Sequence, residues 1–405
     1  MENGRNRYFG TILRLERLRQ GKEQKEVCYG ICVPSYLCKI EKHRVEPDSG
    51  LLKQLLSRLD IQLQDNPEFL NEYQRLIMEY WRRMKFGLDR SDLFQRVQKE
   101  KEKLFASIFA IDCMLILEIQ REEEQDTIIP SQMEKLDLFE DSFSNNQRAY
   151  YYMLKAENGN SEERLAYCQK AYDILRDSQS YSRVMQAHFL CSSYAQVQQM
   201  EKQCVSLALE EGNLVSLMNC YELLGGSYAV LNMEEMMCFY YEKCLNLIQG
   251  TIWKDKTDGL YYNMGAVSLE LNKYEEALDY FSHLMVPTFS SEHKRALTYI
   301  RMGNQAEAAK VMEQVRILFI QENYKQDSAE YWMLKELEME ITPGYKYKPE
   351  SLVLLKKLQA SLRREKHLGF LYFYKEIIQE VYCAQRQYKK ALELEKEISK
   401  LNKKS

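Results

Sequence analysis

Cys28, Cys32 and Cys38 stand within eleven residues of one another, and His43 follows five residues later. Thiolates and imidazoles bind zinc, so this cluster is the first place to look for chemistry. Its spacing, C-x3-C-x5-C, is not a standard zinc pattern, and cysteine is a common small buried residue. Core packing is therefore the favoured reading. The five histidines, His43, His188, His283, His293 and His367, fall in no triad-like or HExxH context. No G-x-x-x-x-G-K-S/T or G-x-G-x-x-G loop is present to cradle phosphates. Acidic pairs such as Glu234-Glu235 and Glu275-Glu276 read as solvated helix faces. The expectation is a protein that binds rather than reacts, with no catalytic residues, no cofactor and no metal.

What it binds is hinted at by charge. Residues 1–65 hold 12 Lys and Arg against 9 Asp and Glu, a net of +3. The remainder holds 44 against 51, a net of −7. A basic head on an acidic body fits nucleic-acid contact confined to the N-terminus. The start, MENGRNRYFG, has no apolar stretch suited to a signal peptide, and no run approaches the length of a membrane helix. Eleven scattered cysteines suit reduced thiols. A cytoplasmic location without a membrane partner is expected.

The elements that position these residues read as helices throughout. Only 7 Pro and 16 Gly interrupt 405 residues, so an all-α fold is expected. Phe9, Ile12, Leu13, Leu15 and Leu18 recur at helical spacing up to Gln20-Gly21, where glycine ends the helix. A short helix over about 24–29 follows, then a third from Pro34 to Glu41, with proline suited to its first turn. Asp48 or Ser49 can cap a fourth, whose core face is Leu51, Leu52, Leu55, Leu56 and Leu59.

The segment LRLERLRQGKEQKEVCYGICVPSYLCKIEKHRVEPDSGLLKQLLSRLDI resembles the lambda-repressor-like (XRE-type) helix-turn-helix family over about residues 7–63. Gln24, Ser35, Leu37, Ile40, Glu41 and Pro47 stand at matching places. The resemblance implies that the third helix enters the major groove while the second crosses the backbone. It implies phosphate contact at Gln24 and Lys25, groove contact at Ser35, Tyr36 and Lys39, and a flanking phosphate at Arg44. Glu41 is expected to brace the domain by pairing with a basic residue. Val33 and Pro34 depart from the pattern, because typical members carry a polar or basic residue there. One expected base contact is thereby removed.

After residues 66–145, read as linker helices, similar segments recur at spacings of 31 to 40 residues. Tyr262, Gly265, Tyr274, Ala277 and Phe281 make one copy, and Tyr221, Leu224, Gly225, Tyr228 and Tyr241 another. Cys191, Gly225, Gly265 and Ala296 are read as matching small positions where paired helices meet. The longest interval is assigned to extra residues around 249–256. This pattern resembles the tetratricopeptide repeat, and residues 146–405 are read as about six helix pairs. Stacked pairs of this kind make a concave groove. Counting along the first helices puts His188, Asn219, Glu222, Tyr262 and Asn263 beside it. Asparagine can bond both N–H and C=O of an extended peptide, and tyrosine offers flat area with a polar tip. Packing or solvation of these residues is an equally weighted reading.

An XRE-type head on such an array is similar to the Rgg- and PlcR-like peptide-responsive quorum-sensing regulators. What that implies is a homodimeric transcription regulator bound to double-stranded, palindromic operator DNA, whose array takes a short signalling peptide. The alternatives are a repeat-array interaction protein, or a dimeric repressor that senses no peptide.

Overall fold

The computed structural model describes residues 7–125, 130–231, 233–249, 257–364 and 368–404. Among these residues no strand occurs, and no helix is long and apolar enough to cross a membrane. His367 and most of the stretch read as extra residues, 250–256, lie outside the described residues. The chain divides into two compact units. One comprises Met1–Leu190 with Lys202–Leu217, the other Cys191–Glu201 with Met218–Ser405.

The first unit opens with α1 (Arg7–Arg19), α2 (Gln24–Cys28), α3 (Pro34–Glu41) and α4 (Ser49–Arg58). Their shared core is Leu13, Val27, Leu37, Ile40, Leu55 and Leu59, the stripes expected from helical spacing. Gly21, at φ +65°, ends α1 as expected. Asp48 caps α4 by accepting from the N–H groups of Gly50 and Leu51. Arg58 clips α4 to α2 by donating to the carbonyls of Glu26 and Tyr29, both at 3.0 Å.

Five helices follow: α5 (Pro67–Lys85), α6 (Ser91–Lys99), α7 (Lys101–Phe105), α8 (Ala110–Gln125) and α9 (Pro130–Asp137). Leu15 of α1 enters their core beside Ile111, Leu115 and Phe139. Arg14 donates to the Leu138 carbonyl and lies over the Phe139 ring. Next come α10 (Asn145–Asn158), α11 (Ser161–Leu175), α12 (Ser178–Leu190), α13 (Tyr194–Gln199) and α14 (Glu201–Glu211), of which α13 belongs to the second unit. Asparagine and serine caps with reciprocal Glu163 and Gln147 bonds start α11 and α10. Lys85 bridges Asp177 and Glu211, each at 3.1 Å. Glu211 also accepts from the Ser178 hydroxyl at 2.6 Å, and Asn213 donates to Ser178 Oγ and the Lys85 carbonyl.

The second unit is a run of helical hairpins. Its helices are α15 (Leu214–Val230, in this unit from Met218), α16 (Glu234–Ile248), α17 (Thr257–Glu270), α18 (Tyr274–Ser282), α19 (Phe289–Arg301), α20 (Gln305–Gln321), α21 (Ala329–Glu340), α22 (Pro349–Arg364), α23 (Leu368–Ala384) and α24 (Tyr388–Lys404). Small residues do mark helix crossings. A Cβ on Gly225 would lie 2.3 Å from the Tyr241 ring, and one on Gly265 would lie 2.6 Å from Phe281. Ala296 is fully buried. Cys191 does not belong to this series. It follows the end of α12, half-exposed, beside Ser192 at φ +57°. The small residue buried within α12 is Ala187.

Candidate functional site

The N-terminal site rests on a buried ion pair. Glu41 is 3% exposed, and both its oxygens bind Arg17, at 2.6 and 2.9 Å. Arg17 also donates to the Lys22 carbonyl at the end of α1. The brace expected of Glu41 is therefore present, and it ties α3 to α1. Gln24 joins it: its Nε2 donates to Glu41 at 2.8 Å, so that amide is engaged within the fold. Tyr36 is half-buried and packs on the α1–α4 core.

The remaining expected contacts face solvent. Lys25, Ser35, Lys39 and Arg44 are exposed. Ser35 and Lys39 are one turn apart on α3, opposite buried Leu37, Ile40 and Glu41. Lys25 pairs with Glu23 at 2.7 Å, and that hydrogen bond raises the lysine pKa and lowers the carboxyl's. The Arg44 backbone N–H closes the end of α3 on the Lys39 carbonyl, leaving its side chain outward. His43 adopts φ +56° to make that turn, and its Nε2 lies 2.6 Å from Ser142 Oγ.

Cys28 is buried, Cys32 and Cys38 are half-buried, and all three are free thiols. Burial, then proximity to Cys28, raises the Cys32 pKa, which opposes formation of a thiolate ligand. Among the described residues no group of His, Cys, Asp and Glu could hold a metal ion.

The residues expected beside the groove are spread over both units. His188 lies on α12 in the first unit, and burial lowers its imidazole pKa. Asn219 (half-buried) and Glu222 (exposed) share one face of α15. Tyr262 packs against Phe281 with ring centres 6.4 Å apart. Asn263 donates to the hydroxyl of fully buried Tyr241 at 3.1 Å, so its amide N–H supports the α16–α17 packing.

A second polar group in this unit escaped the sequence reading. On α19, His293 and Lys294 are both buried. His293 Nε2 lies 2.9 Å from the hydroxyl of Tyr374 on α23, and Lys294 sits over the Phe373 and Phe370 rings. Arg301 approaches Phe373 from the same helix. Buried Glu336 on α21 completes the set. Burial, then Lys294, holds His293 down to about 3. Burial likewise pushes Lys294 well below, and Glu336 well above, their ordinary ranges. The local signal was faint: a Glu-His-Lys run in a helix otherwise patterned for packing.

No family model and no curated protein matches the chain. Solved structures do match. A Rap protein complexed with Competence and Sporulation Factor superposes with a TM-score of 0.62 at 12% identity, over 82% of this chain and 98% of that one. The apo form of RapI gives 0.58 at 13%, over 81% and 98%. The apo form of the quorum sensor NprR from B. thuringiensis gives 0.61 at 14%, over 82% and 99%. At such identities the likeness is one of fold. It covers more of the chain than residues 146–405 could supply, so it reaches into the helices before them.

Proposed function

We propose that the chain is a sequence-specific DNA-binding regulator whose repeat array takes a short signalling peptide that alters DNA binding. The observation that carries the DNA half is the division of α3 into two faces. Leu37, Ile40 and Glu41 are buried, while Ser35 and Lys39 stand outward, with Lys25 and Arg44 exposed nearby in sequence. That is the layout a lambda-repressor-like recognition helix needs, with its outer residues on base edges and phosphates. A homodimer of such heads would meet a palindromic operator at two half-sites about one helical turn apart.

The peptide half is supported by analogy and by chemistry. Its fold relatives include a quorum sensor and a Rap protein complexed with Competence and Sporulation Factor. The helices α15 and α17 carry Asn219, Glu222 and Tyr262, groups able to bond an extended backbone. A peptide can shift DNA binding only if it prefers one arrangement of the regulator over another. The Rap likeness is as extensive as that to NprR, which keeps the interaction-protein reading in play.

The deciding experiment is a fluorescence-anisotropy titration of the full-length protein against DNA from just upstream of its own gene, at two salt concentrations. The Ser35→Ala/Lys39→Ala variant is titrated beside it. Binding tighter than to a scrambled duplex, and lost in the variant, is the expected result. Weak binding, equal for both duplexes and both proteins, would move the interaction-protein reading ahead.

A further inference from the structure

The connection from α2 to α3 exposes apolar side chains among exposed basic residues of these helices. Val33 is 61% exposed, Tyr29 is 79% exposed, and Pro34 is exposed between Val33 and Ser35. Every other apolar residue of α2 and α3 is at least half-buried. Val33 is also the N-cap of α3, at φ −83° and ψ 148°, and its side chain makes no capping hydrogen bond. Valine is among the poorest residues for that position, where Ser, Thr, Asn or Asp would satisfy an open N–H. Neither core burial nor helix capping accounts for it. Local rules broken without a structural gain are a mark of functional positions. Exposed Lys25, Lys39, Lys42 and Arg44 belong to the same helices and turns, against exposed Glu23, Glu26 and Glu46, so the surroundings of the apolar step are mildly basic.

We propose that Val33 and Pro34 read thymine 5-methyl groups in the major groove. This rests on the DNA-binding reading above and deepens it by naming the bases. Residues at the start of a recognition helix meet base edges. Valine has no polar side-chain atom, and Pro34 lacks even a backbone N–H. Set against guanine, cytosine or adenine, they would cover donors and acceptors without replacing their water. Thymine alone presents a methyl group there, with which apolar side chains make contact. The loss of a polar base reader at Val33 and Pro34 thus becomes a preference rather than a gap. Arg44 takes the flanking phosphate, Lys39 stays on the groove face with Ser35, and Ser35 can serve any base.

The test begins with full-length protein and a pool of random duplexes, from which bound DNA is enriched. The enriched duplex and a copy with deoxyuridine in place of thymidine are then titrated by anisotropy. The wild type is expected to bind the uracil copy about fourfold more weakly for each contacted methyl. The Val33→Ser/Pro34→Gln variant is expected to bind both copies equally. Serine is the better N-cap, so Val33→Ser alone should melt no lower than wild type, which separates loss of reading from loss of fold. Equal binding of both copies by the wild type would overturn the thymine assignment while leaving DNA binding intact. A thymine preference that survives in the double variant would overturn it too. Failure to enrich any duplex would remove the DNA-binding reading itself, and this inference with it.

Discussion

Single side chains here do either structural or contacting work, and the two can be separated by measurement. Glu41 is structural. Replacing it with Ala strands the buried Arg17 guanidinium and should cost about 3–5 kcal/mol in urea unfolding. A loss below about 1 kcal/mol would mean that Arg17 finds water readily and the brace is incidental. Lys25 and Lys39 are the exposed residues proposed to contact DNA. Lys25→Ala should leave the melting temperature unchanged and reduce the salt slope of DNA binding by about one. An unchanged slope would remove Lys25 from the phosphate contacts. His293 gives a pH signature. Its folded pKa of about 3 lies below the ordinary value of 6.5, so the unfolded chain binds the proton between those limits. Stability from this group is therefore complete above about pH 6.5 and is lost as pH falls, by at most about 1.4 kcal/mol per unit. Glu336, shifted upward by burial, acts in the opposite sense. The comparison must therefore be wild type minus His293→Gln, with urea unfolding followed from pH 7 to 5. A flat difference would place His293 in contact with solvent.

At the scale of helices, the hairpin crossings are tight at particular glycines. Gly225→Ala and Gly265→Ala each force a methyl into an aromatic ring and should destabilise by about 1–3 kcal/mol. Gly259, also on α17, has open space around it, and its change to Ala should stabilise by about 0.5–1 kcal/mol. Equal effects at all three sites, read by thermal unfolding, would show that the crossings can slide apart. These glycines were legible because a close helix approach demands a small residue at a repeated interval. The four N-terminal helices were legible for a similar reason, as local caps and stripes specify them: Gly21, Pro34 and Asp48 fall where the sequence puts them. Cys191 was misplaced because interval and residue size alone cannot tell a helix crossing from the turn that ends α12. The engagement of Gln24 by Glu41, and of Asn263 by Tyr241, was not legible either. Which partner takes a side-chain amide depends on contacts between helices. His293 and Tyr374 are 81 residues apart, and no local pattern announces their meeting.

The chain as a whole passes between its two units three times, after Leu190, Glu201 and Leu217. A cut at the first passage would therefore split the first unit rather than release it. Residues 202–217 bring Glu211 and Asn213 to Lys85 and Ser178, and they bury Cys204 and Ala208. Lys85 is raised in pKa by Asp177 and Glu211 although burial opposes it, so the attraction between these charges outweighs their desolvation. A fragment of residues 1–217 should unfold in one cooperative transition. A fragment of residues 1–190 leaves Lys85 and Ser178 without those partners, and it should be less stable by roughly 2–5 kcal/mol. Urea unfolding of the two fragments reads this directly, and equal midpoints would mean that α14 adds nothing to the unit. The longer fragment also separates the two halves of the proposed function. It keeps Lys25, Ser35, Lys39 and Arg44, and His188 alone of the groove candidates, but lacks Asn219, Glu222, Tyr262 and Asn263. It should therefore retain the contacts to a single half-site while losing any peptide response. If 1–217 folds but binds no half-site that full-length protein binds, DNA recognition needs the second unit as well, through dimerisation or through the array itself.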